Sequence, residues 1–249
     1  MNLLEFHQIF DQSITELMKA EDMTVADVWA GSMIKPIPRA LPAVPYQWQD
    51  GSTVLITGDP FAWAERLDSK QGGDNAWRVG GTCACTAVSN VCKMAGMNVQ
   101  EPDVVNLSIG SGMSDPKTGA TTIGEQLRLL AHYGLPSHCE FNVTAKCDRI
   151  AECIEGGMGV TCGVNSGILQ NKPQKVNHFE TGRLAANHTV CMTGTVRNAA
   201  TGALMGFYLC DSSYGTDFAG RVYVPLEMMH TCYETMAESF IVVTNARIR

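Results

Sequence analysis

Three residues of this sequence have types and settings suited to covalent chemistry on an amide: Cys83, His188 and Asp211. Cys83 follows Gly80-Gly81-Thr82 and leads into Ala84-Cys85-Thr86-Ala87-Val88, a run that predicts a helix from Cys83 to Gly96 with small side chains at its mouth. The unpaired amides and dipole of a helix N-terminus favour an anion, so a thiol placed there is drawn toward thiolate. The same amides can hold the oxyanion that forms when a thiolate attacks a carbonyl. These residues also suit a plain core cysteine beside a glycine turn, and both readings stand at this level.

Cys85 is the rival nucleophile. It lies two residues on, about 200° around the helix axis, so one thiol should face a cleft and the other the core. The mouth position favours Cys83. The pair Cys83-x-Cys85 does not have the spacing of a usual zinc pair and no second pair accompanies it, so neither a metal nor a cofactor is expected.

Asn187-His188-Thr189-Val190 opens a predicted strand after a long polar loop, where an imidazole is exposed enough to titrate and held firmly enough to aim. The runs His188 to Val196 and Leu204 to Asp211 are rich in β-branched and aromatic residues, with turn-like Asn198 to Gly202 between them, and read as a hairpin. Antiparallel strands of similar length bring their outer ends together, which places His188 near Asp211. A carboxylate on one imidazole nitrogen fixes the tautomer and leaves the other nitrogen for a thiol. The other histidines, His7, His132, His138, His178 and His230, have no such hairpin. Asp211 also begins Asp211-Ser212-Ser213-Tyr214-Gly215, a good turn sequence, which is its structural alternative.

The elements that must position these residues read as α+β. The chain has 249 residues, 45% of them apolar and 17% charged, enough to bury a core without a disulfide or metal staple. Residues 1–49 read as a helical appendage, with apolar residues at helical spacing from Leu3 to Leu17, ending in a linker with Pro36, Pro38, Pro42 and Pro45. Residues 50–249 read as the catalytic domain. Short helices or strands are expected at Thr53 to Thr57, Gly58 to Leu67, Ile123 to Tyr133, Cys147 to Ile154, Met158 to Val164, Arg221 to Val224 and Phe240 to Thr244, with loops at Gln71 to Gly81 and Gly167 to Ala186. The expected architecture is a helix-rich half carrying the cysteine, packed on an antiparallel sheet carrying the histidine.

The net charge of −7 and the lack of a Lys or Arg run argue against nucleic acid and anionic membranes as partners. No stretch is apolar and long enough to span a bilayer. Met1 to Ala20 alternates charge with hydrophobes and lacks the basic start and apolar middle of a signal peptide, so it reads as retained. Of ten scattered cysteines, several of them inside apolar runs (Cys92, Cys162, Cys191 and Cys210), most read as reduced core thiols folded in a cytosol.

Gly81-Thr82-Cys83, with a helix ending in Met94-Ala95-Gly96, resembles the nucleophile helix of papain-like peptidases of the bacteriocin-processing, double-glycine leader type. Within these the chain looks closest to a bacterial papain-fold group of toxins and effectors. The likeness extends to Gly58-Asp59-Pro60-Phe61, Gln71-Gly72-Gly73-Asp74-Asn75, Asn187-His188 with Val190 and Thr193-Gly194, and Gly206-Phe207 through Asp211-Ser212, covering about residues 53–245. It implies a papain-like fold and a Cys83-His188-Asp211 triad acting on an amide without cofactor or metal. The substrate implied is a protein or peptide, with an immunity or inhibitor protein as a further partner on the effector reading. The compartment implied is the bacterial cytoplasm, or secretion without a cleaved signal peptide. A glutamine deamidase, a transglutaminase-like enzyme and a catalytically weak binding module are the alternatives on the same fold. Two positions depart from the family pattern. Ala84 stands where a glycine usually follows the cysteine, and Trp77 to Gly81 contains no oxyanion glutamine. The oxyanion candidates are then Gln71 first, whose amide can reach furthest from a pliable Gly-rich loop, and Asn75 second.

Overall fold

A computed structural model describes residues 40–58, 71–72, 75–141, 146–166, 187–210, 222–234 and 240–245. They form a mixed α+β fold. Strands β1 (Ala43–Gln47) and β2 (Thr53–Gly58) come first. Three helices follow, α1 (Cys83–Met94), α2 (Glu101–Gly110) and α3 (Ile123–His132). Next come β3 (Ser137–Phe141), α4 (Lys146–Glu155) and β4 (Gly159–Val164). The last third holds β5 (His188–Asn198), β6 (Leu204–Cys210), β7 (Val222–Pro225), the short α5 (Leu226–Met229) and β8 (Phe240–Thr244).

All strand pairings are antiparallel, and β5 is the hub of the sheet. One edge of β5 is shared end to end, by β4 along His188 to Met192 and by β2 along Gly194 to Asn198. The other edge carries β6, which in turn carries β7. The order continues outward as β4, β8, β3 on one side and β2, β1 on the other. The register slips between Met192 and Gly194, where the two neighbours of β5 change over.

Alternation along the strands sorts side chains into two large cores, with a smaller cluster of Val54, Ile56, Val196 and Tyr208 beside them. Cys191, Cys210 and Val242 face Val88, Val91, Leu129 and Leu130 of the three-helix layer. Val190, Met192, Ile241 and Val243 face the other way, onto Ile150, Cys153 and Ile154 of α4 and onto Met229. Both faces of β5 are thus covered, which is why its first nine residues are all buried.

The hairpin expected from residues 188 to 211 forms as β5 and β6. Its turn is held by Asn198, whose Oδ1 accepts the amides of Ala200 and Thr201, and closes at Gly202 with φ of 71°. Helix α3 starts at a reciprocal cap, with the Glu125 amide donating to Thr122 Oγ1 and the Thr122 amide to the Glu125 carboxylate.

The prolines of the expected linker behave differently from that expectation where they are described. Residues 43–47, Pro45 included, pair with β2 as an edge strand, a place where a missing N–H is tolerated. The Leu41 amide donates to the Glu155 carbonyl at 2.8 Å, which ties this entry segment to α4. The expected appendage helices before residue 40, the helix expected from Gly58 to Leu67 and the loop from Gly167 to Ala186 lie outside the described residues, apart from Gly58 itself. Among the described residues no helix is long and apolar enough to cross a membrane.

Candidate active site at the mouth of helix α1

Cys83 is the first residue of α1, and the chain before it is fixed tightly. The Gly81 amide donates to the Thr118 carbonyl at 2.8 Å, and a Cβ on Gly81 would come within 2.6 Å of that oxygen. Only glycine fits there. The Thr82 carbonyl then accepts both the amide and the hydroxyl of Thr86 at 2.9 Å, starting the helix.

Helix α1 lies against β5, and this packing brings His188 to Cys83. The imidazole, 6% exposed at the first position of β5, hydrogen-bonds the half-buried thiol. His188 is held in register opposite Val164 of β4, and the Asn187 amide before it donates to the Val164 carbonyl at 3.1 Å. Burial alone would push the Cys83 thiol up. The hydrogen bond and charge of His188, with the Thr189 and Ala84 backbone amides, outweigh burial and bring it below the ordinary thiol range.

Cys85 has the opposite environment. Its side chain is 1% exposed, and burial pushes its thiol up despite hydroxyl contacts. Its Sγ lies 3.4 Å from Thr121 Oγ1, which in turn lies 2.7 Å from Ser114 Oγ, and Ser108 Oγ contacts Ser114 Oγ. The two thiols therefore face different surroundings, as their angular separation on the helix implies.

Asp211 lies outside the described residues. Strand β6 is described as far as Cys210, which pairs with Cys191 three residues after His188.

Gln71 and Asn75 sit in the loop that precedes the helix, each with its amide engaged. Gln71 Nε2 donates to the Gly80 carbonyl at 2.6 Å. Asn75 is buried, and its amide spans Val79: Oδ1 accepts the Val79 amide at 3.2 Å and Nδ2 donates to the Val79 carbonyl at 3.1 Å. This clamp closes a tight turn in which Arg78 takes φ of 55°, a region that side chains other than glycine seldom occupy. Asn75 is thus a turn clamp, and the Gln71 amide ties the start of this loop to Gly80.

No family model matches this chain, and no curated protein matches it.

Two groups at the site were not singled out by the sequence. One is the Thr189 amide, which follows directly from the position of His188. The other is Glu101, 1% exposed at the start of α2, whose Oε1 accepts the Thr82 hydroxyl at 2.6 Å. Gln100 and Asp103 cap this helix reciprocally, but the contact of Glu101 to Thr82 spans nineteen positions and depends on packing. Among the described residues no group of three or more His, Cys, Asp or Glu side chains could hold a metal ion.

Proposed function

We propose that this chain is a cysteine protease, or a related amide hydrolase, of papain-like fold, with Cys83 as nucleophile, His188 as general acid and base and Asp211 as the group that orients His188. The single observation that supports it most is the hydrogen bond between His188 and a Cys83 thiol drawn toward thiolate at a helix mouth. A thiolate is the attacking species, and a neighbouring imidazolium both stabilises it and supplies the proton that a departing amine needs. In the cycle, Cys83 Sγ bonds to the carbonyl carbon and the carbonyl oxygen becomes an oxyanion. His188 passes its proton to the amine nitrogen as the C–N bond breaks. Water, deprotonated by His188, then clears the thioester.

The Cys83 amide at the helix start is one proposed oxyanion donor. Gln71 is the proposed second, since it is already anchored at Gly80, three residues from the nucleophile. The same machinery serves a deamidase or a transglutaminase-like enzyme, which differ in the amide admitted and the acceptor used. A bacterial effector acting on a protein substrate is the biological setting that the family likeness suggests.

The test is competitive alkylation by iodoacetamide, read residue by residue by mass spectrometry. Cys83 should react fastest of all thiols, with a profile already rising below neutral pH, and His188→Ala should remove that advantage. Labelling of Cys83 no faster than that of the other thiols would sink the reading.

A further inference from the structure

Thr82 stands in the capping position of α1, yet its hydroxyl makes no bond to the first-turn amides of its own helix. A threonine there ordinarily accepts one of those amides. Here the hydroxyl is used elsewhere: it accepts the Gly72 amide at 2.9 Å and donates to Glu101 Oε1 at 2.6 Å. Thr82 is 0% and Glu101 1% exposed, and Glu101 Oε2 has no hydrogen-bond partner. A carboxyl group buried with one oxygen unpaired is costly, and here burial pushes it up despite the bond from Thr82. It sits at the N-terminus of α2, whose dipole offsets part of that cost.

The contact has a definite geometric effect. The Cys83 amide belongs to the peptide that joins Thr82 to Cys83. That peptide is held by the Thr82 carbonyl, bonded to Thr86, and by the Thr82 side chain, bonded to Gly72 and Glu101. Gly72 also follows Gln71, so one hydroxyl ties together the helix mouth and the loop that carries the side-chain amide.

We propose that Glu101 is a positioning residue: through the Thr82 hydroxyl it fixes the Thr82–Cys83 peptide, so that the Cys83 amide stays aimed at a substrate oxyanion. The inference rests on the thiol-enzyme reading of Cys83. It adds that a buried carboxyl touching no substrate sets the efficiency of the acyl step. Without Glu101, the Thr82 hydroxyl loses its acceptor, and the peptide that carries the Cys83 amide is no longer held in place.

The two chemistries of the Cys83 thiol separate this role from mere support of the fold. Alkylation by iodoacetamide forms no oxyanion, whereas acylation by p-nitrophenyl acetate does. In Glu101→Ala, acylation of Cys83 should fall roughly tenfold to a hundredfold, as expected when a reacting group is misplaced by about 1 Å. The rate and pH profile of alkylation should stay within about twofold, since the groups that lower this thiol are His188, Thr189 and Ala84. Glu101→Gln keeps an acceptor for Thr82 and should restore acylation. Thr82→Val, nearly isosteric, should lose the loop tie, and combining it with Glu101→Ala should add little, as for two members of one unit. Unchanged acylation in Glu101→Ala, or acylation and alkylation falling in parallel, would overturn the proposal. If Glu101→Ala does not fold, Thr82→Val decides by the same comparison. If wild-type Cys83 alkylates no faster than the other thiols, the functional reading fails and this proposal with it. Selective alkylation with acylation unaffected by either variant overturns this proposal alone.

Discussion

The mouth of α1 and the pocket two residues further in hold chemically identical side chains in opposite states. At the mouth, Cys83 meets an imidazole and backbone amides, and its thiol is lowered. In the pocket, burial pushes the Cys85 thiol up, the hydroxyls of Thr121, Ser108 and Ser114 do not offset it, and the Glu101 carboxylate adds to the rise. Hydroxyls are neutral and can satisfy a thiol without ionising it, while an imidazole can carry the compensating charge. The difference teaches that helix position selects which cysteine can react only because β5 delivers His188 to one side of the helix and the three-helix layer closes over the other.

The sharpest way to break that comparison is to delete each thiol in turn. Cys83→Ala should abolish turnover, since nothing else supplies the covalent step. Cys85→Ala should keep most turnover and lose about 1 kcal/mol of stability by denaturant titration, an ordinary core cost. A dead Cys85→Ala with an active Cys83→Ala would reverse the assignment.

Removing the imidazole should have the next largest effect. His188→Ala should lower turnover by roughly a hundredfold to ten-thousandfold. It should also move the alkylation midpoint of Cys83 upward, because the donor that favours the thiolate is gone and desolvation remains. The sign is the test: a midpoint that stays put would show that the helix mouth alone activates the thiol. Asp211→Ala should be milder, since in the proposed role that carboxylate would orient the histidine without transferring the proton.

The smallest effect separates the two loop amides. Gln71→Ala should lower turnover roughly a hundredfold with thiol alkylation unchanged, as for a lost oxyanion donor. Asn75→Ala should instead cost about 1–3 kcal/mol of stability, because it strips both backbone groups of buried Val79 of their partner. Matching losses of turnover in the two variants would remove Gln71's special role.

Much of this arrangement was legible in the chain itself. Helix α1 was readable from Gly80-Gly81 and the small residues after Cys83, and the β5–β6 hairpin from its alternation and its Asn198 turn. Helix α2 was not, because Val104, Val105 and Ile109 are β-branched and its start signals are spread over four residues. Strand β1 was hidden by prolines, which a sheet edge accepts and a central strand does not. Strand β3, Ser-His-Cys-Glu-Phe, has no clean alternation and exists because β8 offers it a ladder. At the site, the pairing of Cys83 with His188 follows from residue types and topology. The grip of Glu101 on Thr82 is a packing result, and local propensity points instead to an ordinary cap.

The distribution of thiols turns the folded protein into a counter of its own opening. Of the nine described cysteines, all free, seven are buried. Of the other two, Cys139 is pushed far above the ordinary thiol range by burial, leaving Cys83 as the one shifted toward reactivity. A thiol reagent applied at neutral pH should therefore give a fast phase of unit amplitude from this set. The rest should follow only as each segment exposes its sulfur, with Cys191 and Cys210 of the β5–β6 hairpin keeping pace with whole-molecule unfolding. Reagent uptake over time would thus order the parts of the molecule by how rarely they open, with no probe added to the sequence.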